Sequence, residues 1–187
     1  MAVQAARTRG LDVTHGDCDI LLEAGVSFDL ILMIMTVEHV AGPRRLLRSA
    51  NQLLKPGGRL VVVTDNSGSL DARLFRSGFW GGYHFPRHWN LFDKRSLGRL
   101  AERSGFEISS IHTAMSPVNW VYSIHNLLVG LGAPRWLINR FTLHSIVTLG
   151  VFTILDGLLN AFGRGSILHA IFHKPAASQD KRVSNGR

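Results

Sequence analysis

At 187 residues the chain fits a single domain and is long enough to bury a real core. Its one cysteine, Cys18, excludes an internal disulfide, and the opening MAVQAARTRG does not read as a secretory signal. The formal charge of +8 is spread from Arg7 to Arg187 without zinc-finger spacing or an aromatic RNA-binding signature, so nucleic acid is not an expected partner.

Residues 2–9 read as the end of a helix stopped by Gly10, where a positive φ costs glycine little. Leu11–Asp17 alternates apolar and polar side chains and predicts a short strand. Phe28–Met33 is an unbroken apolar run, as expected of a central strand covered on both faces. Pro43 suits a first helical position, and Leu46, Leu47, Ala50, Leu53 and Leu54 then form one apolar stripe. Pro56-Gly57-Gly58 ends that helix, and Arg59–Thr64 predicts a second buried strand.

Residues 65–92 are loop-rich, with Gly68, Gly78, Gly81, Gly82 and Pro86 interrupting any regular pattern. Asp93 caps a helix that turns Leu97, Leu100 and Ala101 inward and stops at Gly105. Phe106–Ala114 and Ser166–His173 are strand-like, and the polar tail 176–187 is expected to be disordered. Between those strands lies an apolar block at 117–163, whose Gly130–Pro134 break predicts at least two helices. Its run from Phe141 to Leu155 falls short of the roughly 20 residues of a membrane span. An interfacial or partner-packing helix pair is the expectation.

Several pieces stand in an order that resembles class I S-adenosylmethionine-dependent methyltransferases. Gly16-Asp17 resembles the acidic turn after that family's third strand, and FDLILMIMTVEHV its fourth strand and following turn. LLKPGGRLVVVT resembles the segment through the fifth strand, and FWGGYHFPRHWNLFDKRSLGRLAERSGFE a subfamily signature beyond it. The resemblance implies an α/β fold, a partial Rossmann-like sheet lacking its first two strands. The apolar helices would then be an insertion before the last strand. It implies a truncated domain over 1–175, because the chain begins too late to contain the family's glycine-rich cofactor loop. A start assigned downstream of the true one is favoured over a genuine remnant. Strand four would then expose an apolar edge unless strand three or another chain pairs with it. The family's usual Pro before the Asn that ends strand five is here Asp65.

The implied cofactor is S-adenosylmethionine, bound by Asp17, Cys18, Met33 and Ile34. The implied activity is methyl transfer to a small-molecule or lipid-like acceptor. His84 and His88 would border that acceptor, since histidine is the natural base for a hydroxyl. No metal site is expected: Pro86 stands between His84 and His88, and His169 and His173 would lie roughly 13 Å apart along a strand. His39 reads as a structural group behind strand four. A cytoplasmic protein is expected, peripheral on the inner face of the membrane through 117–163. The alternative is a non-catalytic, membrane-associated or partner-binding remnant.

Overall fold

The computed structural model describes residues 2–84 and 86–176. Apart from Ala176, the tail expected to be disordered lies outside the described residues. Two short helices, α1 (Ala2–Arg7) and α2 (Cys18–Glu23), precede a β-helix-β unit of β1 (Phe28–Ile34), α3 (Pro43–Leu53) and β2 (Leu54–Asp65). There follow α4 (Leu70–Leu74), α5 (Lys94–Glu102), β3 (Glu107–Ala114), the helices α6 (Val118–Gly130), α7 (Arg135–Ile138) and α8 (Ile146–Ala161), and β4 (Ile167–His173).

The four strands form one sheet in the order β1-β2-β4-β3, with β1 parallel to β2 and β4 antiparallel to both neighbours. Parallel pairing needs a crossover, and α3 supplies it with the stripe read from the sequence. Leu47, Ala50 and Leu53 are buried, and α5 adds Leu97 and Ala101. These side chains meet Leu60, Val62, Leu168 and Phe172 from the sheet in one hydrophobic core.

Three expectations change. Leu11–Asp17 is not a strand: it pairs with no strand among the described residues, and Leu11 is exposed. The segment is held instead by Arg7, whose guanidinium donates to the Val13 carbonyl at 2.9 Å. Second, β1 is not covered on both faces, although it does lie at the sheet edge implied for strand four, among the described residues. Met33 is buried on one face, whereas Leu30, Leu32 and Ile34 are 50–60% exposed on the other. Its apolar run is therefore covered on one side only. Third, Pro56-Gly57-Gly58 lies within β2 rather than before it, as a bulge between the pairings Phe28–Leu54 and Leu30–Arg59. Gly57 takes φ +79° there and donates its N–H to the Lys174 carbonyl. An L residue would be strained at that angle.

Asp93 caps α5 as the sequence predicts. Its carboxylate accepts from the Ser96 N–H at 2.7 Å, while the Ser96 hydroxyl accepts from the Asp93 N–H at 2.9 Å. These hydrogen bonds hold the Asp93 carboxyl below its usual pKa. A depressed carboxyl contributes stability above its unfolded pKa and loses it as pH falls through the folded value. Asp93→Ala is accordingly expected to cost about 1 kcal/mol at neutral pH. In urea melts the difference from the parent should vanish once pH falls below the folded pKa; a constant difference would mean the cap acts without its charge.

Candidate active site

The site gathers at the carboxyl ends of β1 and β2. After Ile34 the chain passes through Met35, a non-glycine residue at φ 47°, into a short 3-10 turn at Val37–His39. Backbone strain of this kind concentrates at functional sites. The turn is clamped to the loop beyond α4: the Glu38 carbonyl accepts from the N–H groups of Trp89 (2.8 Å) and Asn90 (3.1 Å). Asn90 Nδ2 in turn donates to the Val40 carbonyl at 2.7 Å. His84, at φ 37°, ends a second 3-10 turn at Gly81–Tyr83.

This clamping assembles three imidazoles. His39 and His88 meet edge to face with ring centroids 4.6 Å apart, and His84 and His88 lie 5.0 Å apart. They line a cavity of about 300 Å³ with Met35, Asp65, Arg87 and Asn119. A second cavity, of about 500 Å³, continues past His84 and Arg87 to Trp80, Tyr83 and Tyr122.

Hydrogen bonds settle the tautomers. His88 Nδ1 lies 2.7 Å from the Gly82 carbonyl and His39 Nδ1 lies 3.0 Å from the Arg87 carbonyl. A carbonyl only accepts, so both rings carry the proton on Nδ1, and the neutral rings keep a lone pair on Nε2. Asp65 Oδ2 stands 3.6 Å from His88 Nδ1, and its Oδ1 accepts from Asn119 Nδ2 at 2.7 Å. Burial raises the Asp65 pKa, opposed by the Asn119 hydrogen bond and by His88. Burial, then His88, Arg87 and His39, lowers that of His84.

Beside this cluster Glu38 is 1% exposed. Its Oε2 accepts from the Thr64 hydroxyl at 2.9 Å, while Oε1 has no partner among the described residues. Glu38, His39 and His88 each offer a ligand atom within 4.8 Å of the others. No metal is expected from the His84–His88 or His169–His173 spacing, and His39 reads as structural; the fold nevertheless brings His39 together with Glu38 and His88 as a set that could hold a cation.

The residues expected to bind cofactor do not form one group. Asp17 and Cys18 border a separate cavity of about 260 Å³ with Val40, Gly42, Arg45, Leu46 and Ser49. One Asp17 oxygen caps α2 by accepting from the Asp19 N–H at 3.0 Å. Burial, followed by Asp17 and Asp19, raises the pKa of the Cys18 thiol, which makes it a wall rather than a nucleophile. Met33 is buried in the core, whereas Ile34 is 60% exposed at the end of β1.

His39, Asp65, Arg87 and Asn119 line the same cavity as His84 and His88 and are not among the site residues expected from the sequence. The signal the sequence offers for Asp65 is its departure from the family's usual Pro at that position.

A family profile described as a methyltransferase domain matches residues 4–111, more than half of the 187. The chain belongs to the methyltransferase family. Three similar proteins bear the name ubiquinone biosynthesis O-methyltransferase. Those of Ruegeria pomeroyi and Roseobacter denitrificans are 32% and 43% identical over 123 residues, covering 61% of this chain and 48% of theirs. That of Ruegeria sp. is 41% identical, covering 61% and 49%. The chain thus spans about half the length of the curated relatives it matches.

Among solved structures, a SAM-dependent methyltransferase from Thermotoga maritima superposes with a TM-score of 0.57 at 21% identity, covering 92% of this chain and 68% of that one. One from Archaeoglobus fulgidus gives 0.50 at 18%, covering 88% and 68%. These likenesses establish the fold, a partial Rossmann-like α/β sheet. S-adenosylmethionine is the cofactor the family implies. The cavity beside Asp17 fits part of it: a carboxylate faces a niche walled by Val40 and Leu46, suited to a flat ring with an amino donor.

Proposed function

We propose that this protein transfers a methyl group from S-adenosylmethionine to a hydroxyl of a small-molecule or lipid-like acceptor. The carrying observation is the imidazole cluster, which opens its cavity at the carboxyl ends of β1 and β2, where doubly wound sheets bind their ligands. The names of the relatives support oxygen as the acceptor atom and a lipid-like quinone precursor as the acceptor class.

S-adenosylmethionine, when bound, supplies the methyl group and keeps the electron pair of the broken sulfur–carbon bond. Asp17 would accept from an amino group of it, Cys18 would wall the same cavity, and Ile34 would offer its apolar surface, while Met33 supports β1 from the core. The chain's own residues prepare the hydroxyl. His88 Nε2 takes the acceptor's proton as the new oxygen–carbon bond forms, and Asp65 beside Nδ1 stabilises the resulting imidazolium. His84, held neutral by its lowered pKa, borders the acceptor. The larger cavity, with Trp80, Tyr83 and Tyr122, takes the acceptor's body. A lipid-like acceptor resides in a bilayer, so the reading includes peripheral contact through 117–163, on the cytoplasmic side.

The test is calorimetric titration of the chain with S-adenosylhomocysteine, which needs no knowledge of the acceptor. Binding is expected, weakened about tenfold or more by Asp17→Ala, as for loss of a hydrogen bond to a charged group. A folded chain that neither binds this product nor methylates a simple catechol would overturn the reading.

A further inference from the structure

Helix α8 carries two unlike faces. Asp156 is fully buried and points into the domain. On the opposite side Val147, Val151, Ile154, Leu158 and Phe162 follow one another at steps of three and four residues, and are 57–82% exposed; Ile146, at the start of the helix, is 86% exposed. No described helix is long and apolar enough to cross a membrane. At 16 residues α8 is about 24 Å long, a length that lies along a surface.

The charges around it have one sign. Between residues 115 and 165 the only acidic residue is the buried Asp156, while Arg135, Arg140 and Arg164 are exposed. At the carboxyl end of α8, next to Phe162, Arg73, Lys94, Arg95 and Arg164 converge on a cavity of about 270 Å³. None of these four makes an ion pair among the described residues. The one carboxylate in the cavity wall, Asp93, is committed to capping α5.

We propose that α8 docks this protein onto an anionic phospholipid bilayer. Val151, Ile154, Leu158 and Phe162 enter the headgroup–acyl boundary, and the Arg73–Lys94–Arg95–Arg164 cavity receives a lipid phosphate. An apolar stripe alone would suit any hydrophobic partner; the adjoining basic cavity selects an anionic surface. The proposal takes its purpose from the lipid-like acceptor, but bilayer binding and methyl transfer are read separately.

The experiment is sedimentation of the full chain with vesicles of phosphatidylcholine alone, or of phosphatidylcholine with phosphatidylglycerol. Binding is expected to the anionic vesicles, and to weaken as salt is raised. Arg95→Glu and Arg164→Glu should each weaken it roughly fivefold or more. Ile154→Asp, on an exposed position, should abolish it and leave turnover of a soluble catechol unchanged. Equal binding to both vesicles, or binding indifferent to Ile154→Asp, overturns the proposal. So does a chain that binds neither vesicle and is a dimer that Ile154→Asp makes monomeric, since the stripe then serves a second copy. Loss of methyl transfer with vesicle binding intact would instead count against the catalytic reading.

Discussion

Asp156→Ala is expected to lower the stability of the fold by about 3–5 kcal/mol, the largest effect of any single polar substitution argued from this structure. Asp156 accepts from the Ser116 N–H at 2.7 Å, the Trp120 indole N–H at 3.0 Å, the Ser166 N–H at 3.1 Å and the Ser166 hydroxyl at 2.8 Å. These donors lie just after β3, in α6 and just before β4, so one carboxylate joins the apolar helices to the ends of the sheet. Alanine would leave each donor buried or half-buried without an acceptor, at about 1–3 kcal/mol apiece before relaxation. The Trp120–Phe152 stack, with centroids 5.9 Å apart, would not hold α8 alone. Urea unfolding measures the loss. A change under about 1 kcal/mol would show that water replaces the carboxylate and that packing carries the junction.

The same junction holds a second acid. Asp71 accepts from the Trp80 indole N–H at 2.8 Å and shares the Ser166 hydroxyl, whose oxygen lies 3.2 Å away. Burial raises its pKa above 3.8 despite those hydrogen bonds. A carboxyl with a raised folded pKa binds its proton more tightly in the folded state, so its contribution becomes less favourable as pH rises through that window.

Much of this arrangement was legible because local patterns and tertiary packing agree. The stripe of α3, the Asp93 cap of α5 and the Gly130–Pro134 break each rest on short-range chemistry, and each stands in the structure. The misreadings concern what lies beside an element. Leu11–Asp17 has strand alternation but pairs with no strand among the described residues, and Phe28–Met33 has the composition of a strand covered on both faces but is covered on one. Alternation does not report neighbours. The site followed the same division. His84 and His88 stand out in the sequence because the resemblance sets their loop on the substrate side, whereas His39, Asp65 and Asn119 come from three other elements, and only the fold brings them to the same cavity. Asp17 and Cys18 line a cavity formed with the start of α3, a neighbour that the sequence order does not reveal.

His88→Ala is expected to slow methyl transfer to a simple catechol by about a hundredfold to ten-thousandfold, the range for removal of a general base. A catechol hydroxyl is acidic enough for an imidazole to take its proton. His88 shares with His39 a carbonyl that holds its proton on Nδ1, and differs from its neighbours in having Asp65 placed to stabilise the cation formed when Nε2 is protonated. The loss should therefore fall on kcat, with S-adenosylhomocysteine binding unchanged. Asp65→Asn should reproduce part of it, because a neutral amide keeps the shape but not the charge. His84→Ala should act mainly on KM, as expected of a neutral residue bordering the acceptor. The lowered His84 pKa has a separate sign: the unfolded chain takes up that proton first, so stability falls as pH drops below 6.5 toward the folded value. A kcat that survives His88→Ala but collapses with His39→Ala would move the base to the other Nε2, beside Glu38. A rate indifferent to all three histidines would leave positioning of the two substrates as the source of catalysis.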